Sequence, residues 1–420
     1  MAYTYPGVYI EEVPSGVRPI ENAGTSTAAF IGTTEKGTPG VPSLIFKWAD
    51  YVEQFGGFRE VKKVTGTGDA AVTEYKPDAM GLAVYTFFLN GGGAAYIVST
   101  DVVPSGTVAP GTSGAINAAI FDSLSKIRDI NIICLPGKTW GTHVNAADKG
   151  DEAVIGLAIS HAEKMKNRMV IVDLAEATKL STESGVNKLS LSTNEFAVTY
   201  YPWLEVANPF YKTEDQRPDK EYDAKQPPTF TIAPSSFAAG MWAKIDGRRG
   251  VWKAPAGVET ALLGVAGVAD DVDNNQQGQL NHMGINCIRK LPGFGPVIWG
   301  SRTLATKADP EWRYVPVRRT ACMIEESIYN NIQWAVFEPN DHRLWSSLRV
   351  NIDAFMNGLW RAGAFQGERS SDAYFVRCSL GDTMTQADID TGKVIVEVGF
   401  APLKPAEFVI IRIQQKVAQQ

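Results

Sequence analysis

The chain has 420 residues, enough for two or three domains with a sizeable buried core. Its 44% hydrophobic and 20% charged content is that of an ordinary folded protein and excludes collagen-like, coiled-coil and disordered chains. Forty basic side chains against 46 acidic ones leave a net charge of −6, which does not suit a protein built to neutralise nucleic acid phosphates, so no nucleic acid partner is expected.

In chain order, Tyr3, Tyr5 and Tyr9 flank Val8 and Ile10 in an alternating segment notched by Pro6 and Gly7, which reads as a short strand. Residues 14–27, PSGVRPIENAGTST, carry few apolar side chains and read as a tether. A strand held only by a tether leaves its backbone groups unpaired unless it adds to a sheet edge. The globular pattern starts at Ala28 with a strand through Phe30 and Ile31. Helices follow across Trp48 to Phe55 and Pro77 to Leu89, the second stopped by Gly91, Gly92 and Gly93. A strand over Ala95–Ser99, a periodic stretch Ala115–Ile127, a strand Ile130–Leu135, a helix Glu152–Lys166 and a strand Met169–Leu174 then alternate, which predicts an α/β layer with a partly parallel sheet. Residues 212–228 are charged and proline-bearing and read as an exposed loop, after which a helix resumes near Ser235–Ile245.

Pro339, Asn340 and Asp341 suit the start of a helix. At 100° per residue, Leu344, Trp345, Leu348, Ile352, Phe355, Met356 and Leu359 share a third of its circumference, with Arg349, Asp353, Asn357 and Arg361 opposite. The chain closes on two strand-like runs, Val394–Phe400 and Phe408–Ile413. Both ends are therefore strand-forming and apolar, where chain ends are ordinarily polar and frayed. Residues 281–420 carry a net +2 and the preceding residues a net −8.

Catalytic and ligand-binding patterns are weak. Gly137-Lys138-Thr139 follows a strand as a phosphate loop does, but Ile132 stands where GxxxxGK[ST] needs its first glycine. No GxSxG elbow or HExxH pair occurs, and His143, His161, His282 and His342 are isolated in sequence. Cys134, Cys287, Cys322 and Cys378 stand too far apart for a metal knuckle or a disulfide framework, and predict a reducing compartment. Asp270, Asp271 and Asp273 lack calcium-loop spacing and read as a solvated turn. No enzyme activity, cofactor or metal is expected. The opening MAYTYPGVYIEEV lacks the basic end and apolar run of a signal peptide. The most apolar stretch, Ala79 to Leu89, is about half of the ~20 residues a membrane helix needs, so no direct membrane insertion is expected.

Several fragments, in order, resemble the tail sheath proteins of contractile phages and contractile injection systems. They are YPGVYIEEV at 5–13, PSSFAAGMWAKIDGRRGVWKAPAG at 234–257, NHMGINCIR at 281–289 and VIWGSRTL at 297–304. VRR at 317–319, FEPND at 337–341, LW at 344–345, FVRC at 375–378 and PAEFVIIRI at 405–413 complete the set. The resemblance implies a mixed α/β fold in several domains: an arm and tether over 1–27, an outer α/β domain over 28–250 with a variable stretch at 101–230, and an inner sheath domain over 251–420.

It further implies a structural subunit that forms hexameric rings, stacked as a helical polymer around an inner tube and bounded by baseplate and terminator proteins. Such a sheath is assembled in the bacterial cytoplasm and contracts from a metastable state to drive the tube through an envelope. Tyr5, Val8, Tyr9 and Ile10 at one end and Phe408, Val409, Ile410, Ile411 and Ile413 at the other are then the strand-exchange residues between subunits. Arg343, Arg349 and Arg361 are the candidates to face the tube. A non-contractile surface or adhesion polymer, and an enzyme built on residues 115–250, are the alternative readings.

Overall fold

The computed structural model describes residues 19–65, 72–106, 116–141, 149–176, 193–212, 226–306, 309–408 and 410. The expected N-terminal strand and most of the charged loop at 212–228 lie outside these. The chain forms two compact units, a larger one of residues 23–325 with 403–420 and a smaller one of residues 1–22 with 326–402.

The larger unit starts with β1 (Ala28–Thr34), β2 (Pro42–Ile45), α1 (Trp48–Phe55), β3 (Val61–Thr65), β4 (Val72–Lys76) and α2 (Ala79–Leu89). Then come β5 (Ala95–Val102), α3 (Ala118–Ser125), β6 (Ile132–Trp140), α4 (Lys149–Met165), β7 (Met169–Leu174), β8 (Ala197–Tyr201), β9 (Leu204–Ala207) and β10 (Thr229–Ile232). It continues through α5 (Ser235–Arg249), β11 (Gly267–Val268), α6 (Asn274–His282), β12 (Ile285–Leu291), β13 (Gly295–Ile298) and α7 (Val315–Asn331), whose last turns belong to the smaller unit.

Eight strands form one sheet in the order β13-β12-β8-β7-β6-β1-β5-β2. The six inner strands run parallel, and β13 and β2 close the two edges antiparallel. The inner strands are apolar on both faces, as parallel strands covered on both sides must be. Successive side chains alternate between two cores. Phe30, Ile97, Cys134, Ile171 and Val198 join Phe87, Phe237 and Trp242 of α2 and α5 on one face. Ile31, Val98, Ile133, Val170 and Ala197 meet Phe121, Leu124, Ile159 and Ala162 of α3 and α4 on the other.

The glycine in SSFAAGMW has a packing reason. A Cβ at Gly240 of α5 would lie 2.5 Å from the Phe87 carbonyl oxygen of α2, so only glycine allows this approach. The expected boundary at 250/251 falls inside the larger unit, because β12 pairs in parallel with β8 and carries the sheet past it.

The smaller unit contains α8 (His342–Arg361), α9 (Ser370–Ala373), β14 (Tyr374–Arg377), α10 (Gln386–Asp390) and β15 (Glu397–Phe400). All seven residues of the predicted apolar stripe of α8 are buried. Leu344, Trp345 and Leu348 pack with Cys378 and Met384, surrounded by Ile332, Trp334, Val394 and Val396. The last strand is shorter than its apolar run: Val394 and Val396 fill this core, and pairing begins only at Glu397.

Candidate assembly surfaces

The sheet of the smaller unit has two strands, β14 and β15, antiparallel with Tyr374 opposite Phe400 and Arg377 opposite Glu397. Its side chains alternate. Tyr374 is buried and its hydroxyl accepts a hydrogen bond from Asn357 Nδ2 of α8 at 3.2 Å, while Phe375 and Arg377 face solvent with the guanidinium 4.7 Å from the ring centroid. Among the described residues no third strand pairs with either edge. A two-stranded sheet is marginal in water, and an uncovered edge presents unpaired backbone donors and acceptors to an incoming strand.

The FEPND fragment builds the start of α8. Asp341 caps the helix by accepting from the backbone N–H groups of Arg343 at 2.9 Å and Leu344 at 3.1 Å. Asn340 Oδ1 accepts from Trp345 Nε1 at 2.8 Å. Phe337 has φ +70°, a left-handed conformation uncommon for a bulky side chain, and its ring is fully exposed.

Of the three arginines singled out by sequence, Arg343 and Arg361 are exposed. Arg349 is half-buried and donates to the Cys378 carbonyl oxygen and, at 3.0 Å, to Ser346 Oγ, so it braces its own unit. At the other strand-exchange candidates, Tyr5, Val8, Tyr9, Ile10, Val409, Ile411 and Ile413 lie outside the described residues. Phe408 and Ile410 are 74% and 79% exposed and belong to no strand.

The segments leading to both ends are held. Residues 19–27 have no regular structure, as a tether should, yet the last of them are fixed. Thr25 bonds to Asp246 and Arg319, and the Thr27 N–H donates to Asn131 Oδ1 at 3.2 Å. The slack expected up to residue 27 therefore stops short of Thr25. Glu407 pairs with Arg302 105 positions earlier. These contacts were not legible in sequence, because charge partners 73 and 105 positions apart leave no local pattern. The one available signal was Trp242 and Asp246, four apart on one helix face, in a chain that also carries Arg318-Arg319.

Several buried titratable groups have structural partners. Asp173, at the end of β7, accepts from the Ser235 backbone N–H at 3.0 Å and from its hydroxyl at 2.6 Å, which holds the N-terminus of α5. Burial pushes the Asp173 carboxyl up to about 7, against the lowering effect of the Ser235 bonds. Burial pushes the Cys134 thiol well up as well, with Asp173 adding to the effect. His161 lies beside Arg168, whose Nη1 is 3.1 Å from Nε2; burial, with the nearby cations, brings the imidazole down to about 4. Gly137-Lys138-Thr139 sits inside β6, with Lys138 Nζ 2.9 Å from Asp151. Asp273, from the acidic turn, caps α6 in a capping box with Gln276.

Two family models match: the phage tail sheath central domain over residues 113–304 and the phage tail sheath C-terminal domain over residues 307–416. This chain belongs to the phage tail sheath family. The sheath protein is similar to the sheath of an extracellular contractile injection system, PVC, solved in the contracted state. The identity is 29% and the TM-score 0.72, over 99% of each chain. It is equally similar to the contracted helical sheath of the anti-feeding prophage, with 31% identity and TM-score 0.71 over 99% of this chain and 100% of that one. The tail sheath protein of Burkholderia phage BcepMu is 34% identical over 140 residues, 32% of this chain and 29% of that protein. The chain spans less than half the length of the curated relatives it matches. With the fold described above, these likenesses make it a structural subunit of a contractile sheath.

Proposed function

We propose that the sheath protein polymerises as stacked hexameric rings around an inner tube, between a baseplate and a terminator, and contracts from a metastable extended state to drive that tube through an envelope. The observation that carries this reading is the two-stranded sheet β14–β15, with which no third strand pairs among the described residues. The apolar segments around residues 5–10 and 408–413 have the alternating pattern of strands in sequence. Tyr5, Val8, Tyr9 and Ile10 of one subunit, and Phe408 to Ile413 of another, complete the sheet of a third by strand addition. Backbone hydrogen bonds then link subunits while the stretch before Thr25 lets them rotate and slide. A difference of a few kcal/mol per subunit between two packings, summed over on the order of a hundred subunits, moves the tube. Arg343 and Arg361 contact the tube and Arg349 supports the helix that presents them.

The enzyme reading has less support: among the described residues, Ser235 and Asp173 are buried in helix capping. The test is co-expression with the tube protein followed by electron microscopy. Striated sheaths that shorten and widen on mild denaturation are expected; unsheathed tubes beside soluble monomer would overturn the proposal.

A further inference from the structure

Thr25 and Glu407 stand at the roots of the two segments that the proposed function donates to neighbours, and each is gripped by a cluster within the larger unit. At the first root, Arg319 of α7 and Asp246 of α5 form a bidentate pair, Nη1 to Oδ1 at 2.9 Å and Nη2 to Oδ2 at 2.5 Å. Their side chains are only 4% and 5% exposed. Trp242, one turn before Asp246, lies 4.5 Å from the guanidinium and donates its own Nε1–H to the Tyr200 hydroxyl at 2.8 Å. The same pair also grips Thr25. Arg319 Nη2 donates to its carbonyl oxygen at 2.8 Å, and its hydroxyl donates to Asp246 Oδ2 at 2.6 Å. Hydrogen bonds to charged groups shielded from water are the strong ones.

At the second root, Arg302 Nε donates to Glu407 Oε1 at 2.8 Å and Nη2 donates to Oε2, while the Tyr314 hydroxyl is 3.3 Å from Oε2. Arg302 is itself immobilised: buried Asn286 accepts from its N–H at 2.7 Å and donates to its carbonyl oxygen at 2.8 Å. Directly beyond Glu407, Phe408 and Ile410 belong to no strand and are exposed to solvent.

We infer that Arg319 and Arg302 are the anchors through which a pull on either terminal segment enters the eight-stranded unit. Without the first anchor, tension on the N-terminal segment falls on β1, a central strand of the large sheet. Without the second, tension on the C-terminal segment falls on the chain returning from β15, the edge of the smaller sheet. The inference rests on the proposed strand exchange for the source of the load, but the anchors themselves are properties of the single chain.

Two variants test it with little disturbance to the core. Thr25→Val removes the hydroxyl and keeps the Arg319–Asp246 pair, and Glu407→Gln keeps a side chain of the same length. Both should retain the wild-type melting temperature within a few degrees and still polymerise on tubes. In the unassembled protein, amides of residues 22–27 in the first variant, and of 404, 406, 407 and 408 in the second, should exchange hydrogen about tenfold faster, with the rest of the chain unchanged. When contraction is triggered, variant sheaths should break into short fragments where wild-type sheaths remain continuous. Unchanged exchange at the roots would show that these residues are not anchors. Faster exchange with intact contracted sheaths would show that they carry no load. A chain lacking residues 1–20 that still polymerises would instead overturn strand exchange, and leaves the exchange measurement on the single chain to stand or fall separately.

Discussion

The two units solve the same problem, a sheet that must pair its strands, in opposite ways. The larger covers both faces of eight strands with helices and ends each edge in a short antiparallel strand, so it is complete within one chain. The smaller packs two strands on one amphipathic helix and a small core, and among the described residues no third strand joins them, although the Gln366 N–H bonds the Ala401 carbonyl just past β15. On the proposed function, such a subunit folds around its large sheet and leaves the small sheet to be finished by assembly. Unpaired edges invite aggregation in most proteins; in the proposed function they are the means of polymerisation.

The strongest way to break this contrast is to remove the segment proposed to be donated. Deleting residues 1–20 should leave the circular dichroism of the body unchanged and abolish polymer formation in sedimentation. The loss includes the burial of Tyr5, Val8 and Ile10 at roughly 1.5–3 kcal/mol each at every subunit. Next in size, Leu348→Ala should cost about 2–5 kcal/mol. Limited proteolysis should then cut within residues 326–402 while the larger unit stays resistant, since Leu348 packs in the small core.

Asp173→Asn sharpens the account of the larger unit. The native Asp173 titrates near 7 when folded, above its ordinary value, so its contribution to stability is full below about 4 and is lost as pH rises through 7. His161 works the other way: its folded value near 4 is lowered, so its contribution is present above about 6.5 and lost as pH falls through 4. Across pH 4 to 7 the two oppose each other. Denaturant titrations of wild type should therefore be nearly flat in that window, and those of Asp173→Asn should rise with pH.

The smallest effects belong to the exposed arginines. Arg343→Glu and Arg361→Glu should each weaken tube decoration a few-fold, and raised salt should weaken the wild-type contact in the same direction. Arg349→Glu should act differently, by loosening the smaller unit through its lost bond to the Cys378 carbonyl. Equal, salt-sensitive behaviour of all three would contradict that distinction.

Local order was legible in the sequence. Trp48–Phe55 and the stripe of α8 were readable because period, caps and composition agree there. The parallel sheet followed from the alternation of helices and apolar strands. Non-local facts were not legible. The crossing of the large sheet past residue 250 depends on β12 meeting β8, a pairing set by tertiary packing and not by either strand's own sequence. The anchors depend on Arg319 meeting Asp246 and Arg302 meeting Glu407, for which no periodicity exists. The strand expected over residues 3–10 and most of that expected over residues 408–413 lie outside the described residues, and strand exchange through them stays a proposal.

The incompleteness of the smaller sheet is tested most directly by hydrogen exchange of the backbone amides of β14 and β15, compared between unassembled subunit and assembled sheath. The account predicts rapid exchange at the outward-facing amides of both strands in the free subunit, and slowing by several orders of magnitude on assembly as added strands pair with them. Equal protection of these amides in the free and assembled states would show that the two strands are already complete and that subunits are joined by some other surface.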